Sequence, residues 1–210
     1  MNRILLTLAV GLTAVAITGC CTQRRTYTAP TAAQLKARLR AAPRAGAALR
    51  AKAKVDQWTR KGRIKVRVFM LATDQGQLRF EAVTPFDTAL VTLTSDGTAF
   101  ASIDHKNNVF YTGPAKACNI ARVFGLALPP RGVARALTGG APLIDHAKAE
   151  VAWDKCDGAE VLTLSGKGGL TQKVWMKKRA QAFRVLRSEV RNVKNKVVVS
   201  LEFERFKKIK

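Results

Sequence analysis

Hydrophobic residues fall into three patterns along the chain. An apolar run from Ile4 to Ile17 follows the short basic start Met1-Asn2-Arg3. After a polar stretch, residues 32–54 are rich in Ala, Leu, Lys and Arg, with Leu35 and Leu39 four apart on one helical face. That spacing predicts a helix from Ala32, capped by Thr31. Pro43 should end or kink it, and a second helical piece is predicted from about Arg44 to Val55. From Gly62 the period changes to two. Ile64, Val66, Val68 and Met70 alternate with Arg63, Lys65, Arg67 and Phe69, as in a half-buried strand.

The alternation then repeats at hairpin spacing. Leu78, Phe80 and Ala82 mark a second strand, interrupted by Pro85-Phe86-Asp87. Further strands are predicted over Ala89–Thr94, Thr98–Asp104 and Val109–Thr112, which makes a five-stranded antiparallel meander. Gly113-Pro114 breaks the pattern. Ile120, Val123, Phe124 and Leu126 suit an amphipathic helix within 116–127, stopped by Pro129-Pro130, and a short helix follows from about Gly132 to Leu137. Strands resume near Ala149, turn at Asp157-Gly158, and continue through Glu160–Leu164, Leu170–Met176, Ala182–Val190 and Val197–Phe203. The expected fold is α+β. About ten antiparallel strands flank a helical insertion, and a sheet of that size must curl strongly or close.

The N-terminus changes the picture next. A basic start, an apolar stretch and small residues form a secretory signal. Its ending, Ile17-Thr18-Gly19-Cys20, resembles a bacterial lipobox, in which cleavage precedes a Cys that becomes lipidated. A transmembrane anchor fits less well, since the run of 14 residues is short of the roughly 20 that span a bilayer. An ordinary cleaved signal does not explain Gly-Cys at the cleavage point. The expected organisation is a signal over 1–19, a lipidated tether over 20–31 and one domain over 32–210. Cys20 would carry a thioether-linked diacylglycerol and an N-acyl chain, enough for stable anchoring.

Charge narrows the partners. The chain has 37 Lys and Arg against 14 Asp and Glu. Such an excess ordinarily suggests nucleic acid, but export argues against that partner. Anionic lipid, lipopolysaccharide phosphates or other acidic polymers remain, and high charge also serves solubility alone. Between Cys20 and Lys54 there are nine basic residues and no acid. A tethered basic helix there can lie on anionic headgroups or pack on the domain with its charges in water.

Little reactive chemistry is visible. Cys118 and Cys156 lie in the folded part, and an exported compartment permits a bridge between them, although spacing alone does not prove one. No metal is expected, because His105 and His146 lack ligand spacing with the Cys residues. Gly166-Lys167-Gly168-Gly169 lacks the rest of a phosphate-loop pattern. No nucleophile elbow or paired-carboxylate motif appears, so no enzymatic activity is expected.

Several segments in order carry a family resemblance. They are Trp58-Thr-Arg-Lys-Gly-Arg-Ile64, Leu78-Arg-Phe-Glu-Ala-Val-Thr-Pro-Phe86, Leu93-Thr-Ser-Asp-Gly97, Asn108-Val-Phe-Tyr-Thr-Gly113 and Leu137-Thr-Gly-Gly-Ala-Pro142. With the lipobox, this layout resembles the LolA/LolB lipoprotein-localisation family over roughly residues 32–206, on its LolB-like, outer-membrane side. The resemblance implies an incomplete, unclosed antiparallel β-barrel with a helical lid over an apolar cavity. Ile64, Val66, Val68, Leu78 and Phe80 would line that cavity, or else fill a plain packed core. It also implies that Pro85 and Phe86 form a membrane-insertion loop, with Phe where the family pattern has Leu; the alternative is that Phe86 folds back into the core. The implied role is an anchored, periplasm-facing protein of the outer membrane that binds acyl chains. It would accept acylated lipoproteins or lipids, with a LolA-like periplasmic carrier as partner. Cys21 rather than Asp after Cys20 favours outer-membrane placement. The competing expectation is an envelope adaptor that binds anionic lipopolysaccharide or polymer through its basic surface.

Overall fold

A computed structural model describes residues 22–41, 48–59, 62–124, 128–180 and 182–204. Among them are three α-helices: α1 (Ala32–Arg40), α2 (Ala117–Phe124) and α3 (Pro130–Leu137). Six strands precede α2: β1 (Ala48–Thr59), β2 (Gly62–Thr73), β3 (Leu78–Val83), β4 (Ala89–Ser95), β5 (Ala99–Asp104) and β6 (Val109–Pro114). Five follow α3: β7 (His146–Asp154), β8 (Ala159–Gly166), β9 (Thr171–Arg179), β10 (Ala182–Arg191) and β11 (Val197–Glu202). They form two antiparallel sheets, ordered β1-β2-β3-β4-β5-β6 and β11-β10-β9-β8-β7. Each sheet is a simple meander, so the described residues are mostly antiparallel sheet with few helices, and among them no closed barrel forms.

Of the helix expected from about Arg44 to Val55, residues 48–55 belong instead to the edge strand β1, and residues 44–47 lie outside the described residues. Ala, Lys and Arg are good helix formers, which made the segment read as helical. Its apolar positions, however, alternate: Ala51, Ala53 and Val55 interleave with Arg50, Lys52 and Lys54. β1 pairs with β2 in continuous register from Ala48–Thr73 to Thr59–Gly62, and twelve paired residues outweigh propensities of a few tenths of a kcal/mol each. This raises the strands from about ten to eleven. The α1 expectation agrees with the structure. Thr31 accepts a hydrogen bond from the Gln34 amide (3.2 Å), and the Gln34 side chain accepts one from the Thr31 amide (2.9 Å), a complete capping box.

Two hydrophobic clusters hold the layers. Leu78, Leu93, Phe100, Ile120, Val133 and Ala134 join the first sheet to α2 and α3. Leu35 and Leu39 of α1 pack on Leu162, Leu164, Val174 and Met176 of the second sheet. Val199 of β11 packs against the first cluster, linking the two sheets. Buried Gln172 accepts from the Ile144 amide (2.9 Å) and donates to Pro142 O (2.7 Å) and Ser188 Oγ (3.0 Å). These bonds fix the connection from α3 to β7 onto the second sheet.

Residues 22–31 fall within the polar tether expected over 20–31, and they dock on the second sheet. They lie along the β7–β8 hairpin. Gln23 N–H donates to Lys155 O (3.0 Å) and the Gln23 amide to Cys156 O (3.1 Å), while Trp153 Nε1 donates back to Gln23 O (2.8 Å). Gly158 has φ +59°, and a Cβ there would collide with the Gln23 side chain, so the turn and the docking both need glycine. The ring of Tyr27 meets Trp153 and Phe183 edge-on at 6.1 and 5.9 Å.

Candidate functional site

The loop Thr84–Thr88 joins β3 to β4 and is tied to itself. Thr84 N–H donates to Thr88 O (2.8 Å), Asp87 N–H to Thr84 O (3.1 Å), and Thr84 Oγ1 accepts from the amides of Phe86 and Thr88 (3.3 and 3.1 Å). Arg67 on β2 braces it from the side, donating to Pro85 O (2.8 Å) and pairing with the Asp87 carboxylate. Asp87 sits at φ 64°, which turns the chain sharply. This scaffold leaves Pro85 exposed and Phe86 90% exposed. Phe86 does not fold back into the core. At the same end of the sheet, the β5–β6 hairpin exposes Phe110, and its cross-strand partner Ile103 is also exposed.

The expected cavity lining is placed differently. Leu78 lies within the packed cluster of the first sheet, with Phe80 against it. Val68 is buried and Val66 half-buried. Ile64 pairs with Gln57 in the register, and its side chain lies outside the described residues. A cavity of about 540 Å³ opens between α3 and the β1 and β2 ends, lined by Leu49, Ala72 and Ala134 and also by Asp74, Arg131 and Arg135. Sequence alternation located the sheet face but not this gap. The gap depends on how α3 straddles the sheet end, and no periodicity encodes that.

A second cavity, of about 770 Å³, adjoins the first and lies between α1 and α3. Lys36, Arg40, Arg131, Arg135, His146 and Lys167 line it, with Asp145 its one carboxylate. Lys36 and Arg40 are four apart on α1, as are Arg131 and Arg135 on α3, so each helix turns one pair of cations toward the gap. His146 Nδ1 lies 2.9 Å from Ile144 O, and its Nε2 lies 3.4 Å from the Lys36 ammonium. The neutral tautomer protonated at Nδ1 satisfies both.

The cysteines do not pair as sequence spacing allowed. Cys118 is an exposed free thiol on α2, whereas Cys156 is disulfide-bonded with its partner outside the described residues. The physical reason is placement. Cys118 belongs to the helix packed on the first sheet, and Cys156 lies in the β7–β8 turn of the second, beside Gln23. Cys20 also lies outside the described residues. Among the described residues no cluster of His, Cys, Asp or Glu is arranged to hold a metal ion, and no helix is long and apolar enough to cross a membrane.

The arrangement can therefore take an apolar chain under α3, gather negative charge beside it, and present an aromatic side chain on a braced loop. No protein-family model and no curated protein matches the chain, so its functional reading rests on these residues and their geometry.

Proposed function

We propose that this chain is a LolB-like, lipid-anchored envelope protein that binds acyl chains and passes acylated lipoproteins or lipids to the outer membrane. The cavity of about 540 Å³ beneath α3 carries the proposal. It is of ligand-binding size, and aliphatic side chains share its lining with polar ones. Acyl binding there needs no titratable group. Each buried CH₂ contributes about 0.8 kcal/mol. On this reading the two sheets are the unclosed halves of a barrel, α3 is its lid, and Cys20 carries the diacylglycerol and N-acyl anchor. A LolA-like carrier would supply the cargo.

The Phe86 loop supports the same reading. A large apolar group held 90% exposed by a hydrogen-bonded turn prefers a membrane interface to water. Native mass spectrometry of the full chain extracted from its membrane should show a co-purified lipid or lipopeptide. Absence of any such ligand, with salt-sensitive binding to lipopolysaccharide, would favour the adaptor reading instead. Phe86→Glu should leave ligand capture intact and slow delivery into phospholipid vesicles at least tenfold; unchanged delivery would remove Phe86 from the mechanism.

A further inference from the structure

We infer that the cavity between α1 and α3 binds the phosphate of an anionic amphiphile whose acyl chain occupies the adjoining cavity beneath α3. The chain-binding half of this inference rests on the acyl-binding reading above; the phosphate half stands on the cations alone. Five side chains with fixed positive charge converge there: Lys36 and Arg40 from α1, Arg131 and Arg135 from α3, and Lys167 from the β8–β9 turn. One carboxylate, that of Asp145, lines the same space. Like charges facing one another across a gap repel, and an anion between them adds an attractive term with each cation that offsets the repulsion.

The site is built. Gly76 lets the Arg131 stem cross the β2–β3 turn, since a Cβ there would lie 2.7 Å from Arg131 Cγ, and Gly76 has φ +89°. Arg131 Nε donates to Gln75 O (3.1 Å), and Arg135 Nη2 donates to Arg40 O (3.3 Å), which ties α3 to the end of α1. Each arginine uses one donor to fix its stem and retains others in the planar fork that matches phosphate oxygens. α3 begins at Pro129-Pro130 with no side chain capping its amides, so the partial positive charge of its N-terminus adds to the cations around it.

Arg131 and Arg135 line both cavities. A ligand with its chain under α3 therefore brings its headgroup to the same two guanidinium groups. An uncharged diacylglyceryl headgroup offers them neutral acceptors and no counter-charge, whereas a phosphomonoester brings nearly two negative charges. The geometry thus selects a phosphate-bearing amphiphile over a neutral one with the same chains.

Isothermal titration of the full chain in non-ionic detergent tests this with three probes: dioctanoyl phosphatidic acid, dioctanoylglycerol and inorganic pyrophosphate. Phosphatidic acid should bind at least tenfold tighter than dioctanoylglycerol. The doubles Arg131→Gln/Arg135→Gln and Lys36→Gln/Arg40→Gln should each weaken phosphatidic acid and pyrophosphate at least tenfold, and the α1 double, whose residues line only the cavity between α1 and α3, should leave dioctanoylglycerol unchanged. The charge-matched control Lys106→Gln/Lys155→Gln, in distant turns, should stay within twofold. If the arginine double does not fold, the α1 double decides. Equal binding of the two lipids, or equal loss in the control, would overturn the phosphate site while leaving acyl binding intact. If neither lipid binds, the acyl reading fails. Pyrophosphate binding that the pocket variants abolish would then uphold a site for free phosphate groups, and pyrophosphate binding they leave unchanged would refute it.

Discussion

Glu160 is fully buried, and Arg25 from the N-terminal segment reaches it with two hydrogen bonds of 2.8 and 2.9 Å. The Arg25 guanidinium also lies 5.1 Å from the centroid of the Trp153 ring. Burial and then the Glu160 charge push the Tyr27 hydroxyl up to about 12, so it stays neutral beside the carboxylate. A buried ion pair contributes little net stability, but losing one partner strands the other. Arg25→Met should therefore cost about 3 kcal/mol, a fall in Tm of roughly 6–12 °C for a chain of this size. The double variant Arg25→Met/Glu160→Leu should regain most of it; a double as unstable as the single would contradict the account. Thermal melts followed by circular dichroism make the comparison. This pair was illegible in the sequence, because Arg25 and Glu160 lie far apart and Glu160 reads as an ordinary strand residue. Phe86 was the opposite case. Its position beside Pro85 marked the loop, and only its direction awaited the structure.

At the scale of elements, local signals were read well where turn chemistry and period agreed. Thr31 announced α1, the alternation from Leu78 to Thr112 announced β3 to β6, and Asp157-Gly158 announced the β7–β8 turn. β1 failed because its composition favours helix while its alternation favours strand, and the β2 partner that decided the matter is a tertiary fact. The α1 cap is a direct test of local logic. Thr31→Ala removes the side-chain acceptor for the Gln34 amide and should cost about 1 kcal/mol. Thr31→Ser should cost little, because the hydroxyl remains. Because α1 carries Lys36 and Arg40, fraying of its first turn would also show as weaker anion binding in the same sample.

Across the whole molecule, three β-hairpins share one device. Asp96, Asp104 and Asp154 each accept two backbone amides of the turn that follows: Thr98 and Ala99, Lys106 and Asn107, Cys156 and Asp157. For Asp96 and Asp154 these backbone bonds are the leading cause that holds the carboxyl below the usual carboxylate range. For Asp104 the Asn107 side chain leads, and the backbone amides add to it. A depressed folded pKa means that the stability is present above the unfolded value, near 3.9, and is lost as pH falls through the lower folded value. Tm should hold between pH 7 and 5 and fall below about pH 4, with the excess of Lys and Arg adding self-repulsion. The triple variant Asp96→Asn/Asp104→Asn/Asp154→Asn should flatten that acid limb, and an unchanged limb would exclude the turn carboxylates as its cause. The docking of residues 22–31 on the second sheet bears on a different quantity, reach. Ten free residues between Cys20 and Thr31, eleven Cα–Cα steps, would let a domain range about 40 Å from an anchor at Cys20. With Gln23 fastened to the β7–β8 turn, an anchor at Cys20 would have at most three Cα–Cα steps of leash, or about 10 Å. That is close to one Debye length in physiological salt, so this hairpin would stay within the electrostatic field of the surface that holds it, and its orientation would be set by the fold rather than by diffusion on a string.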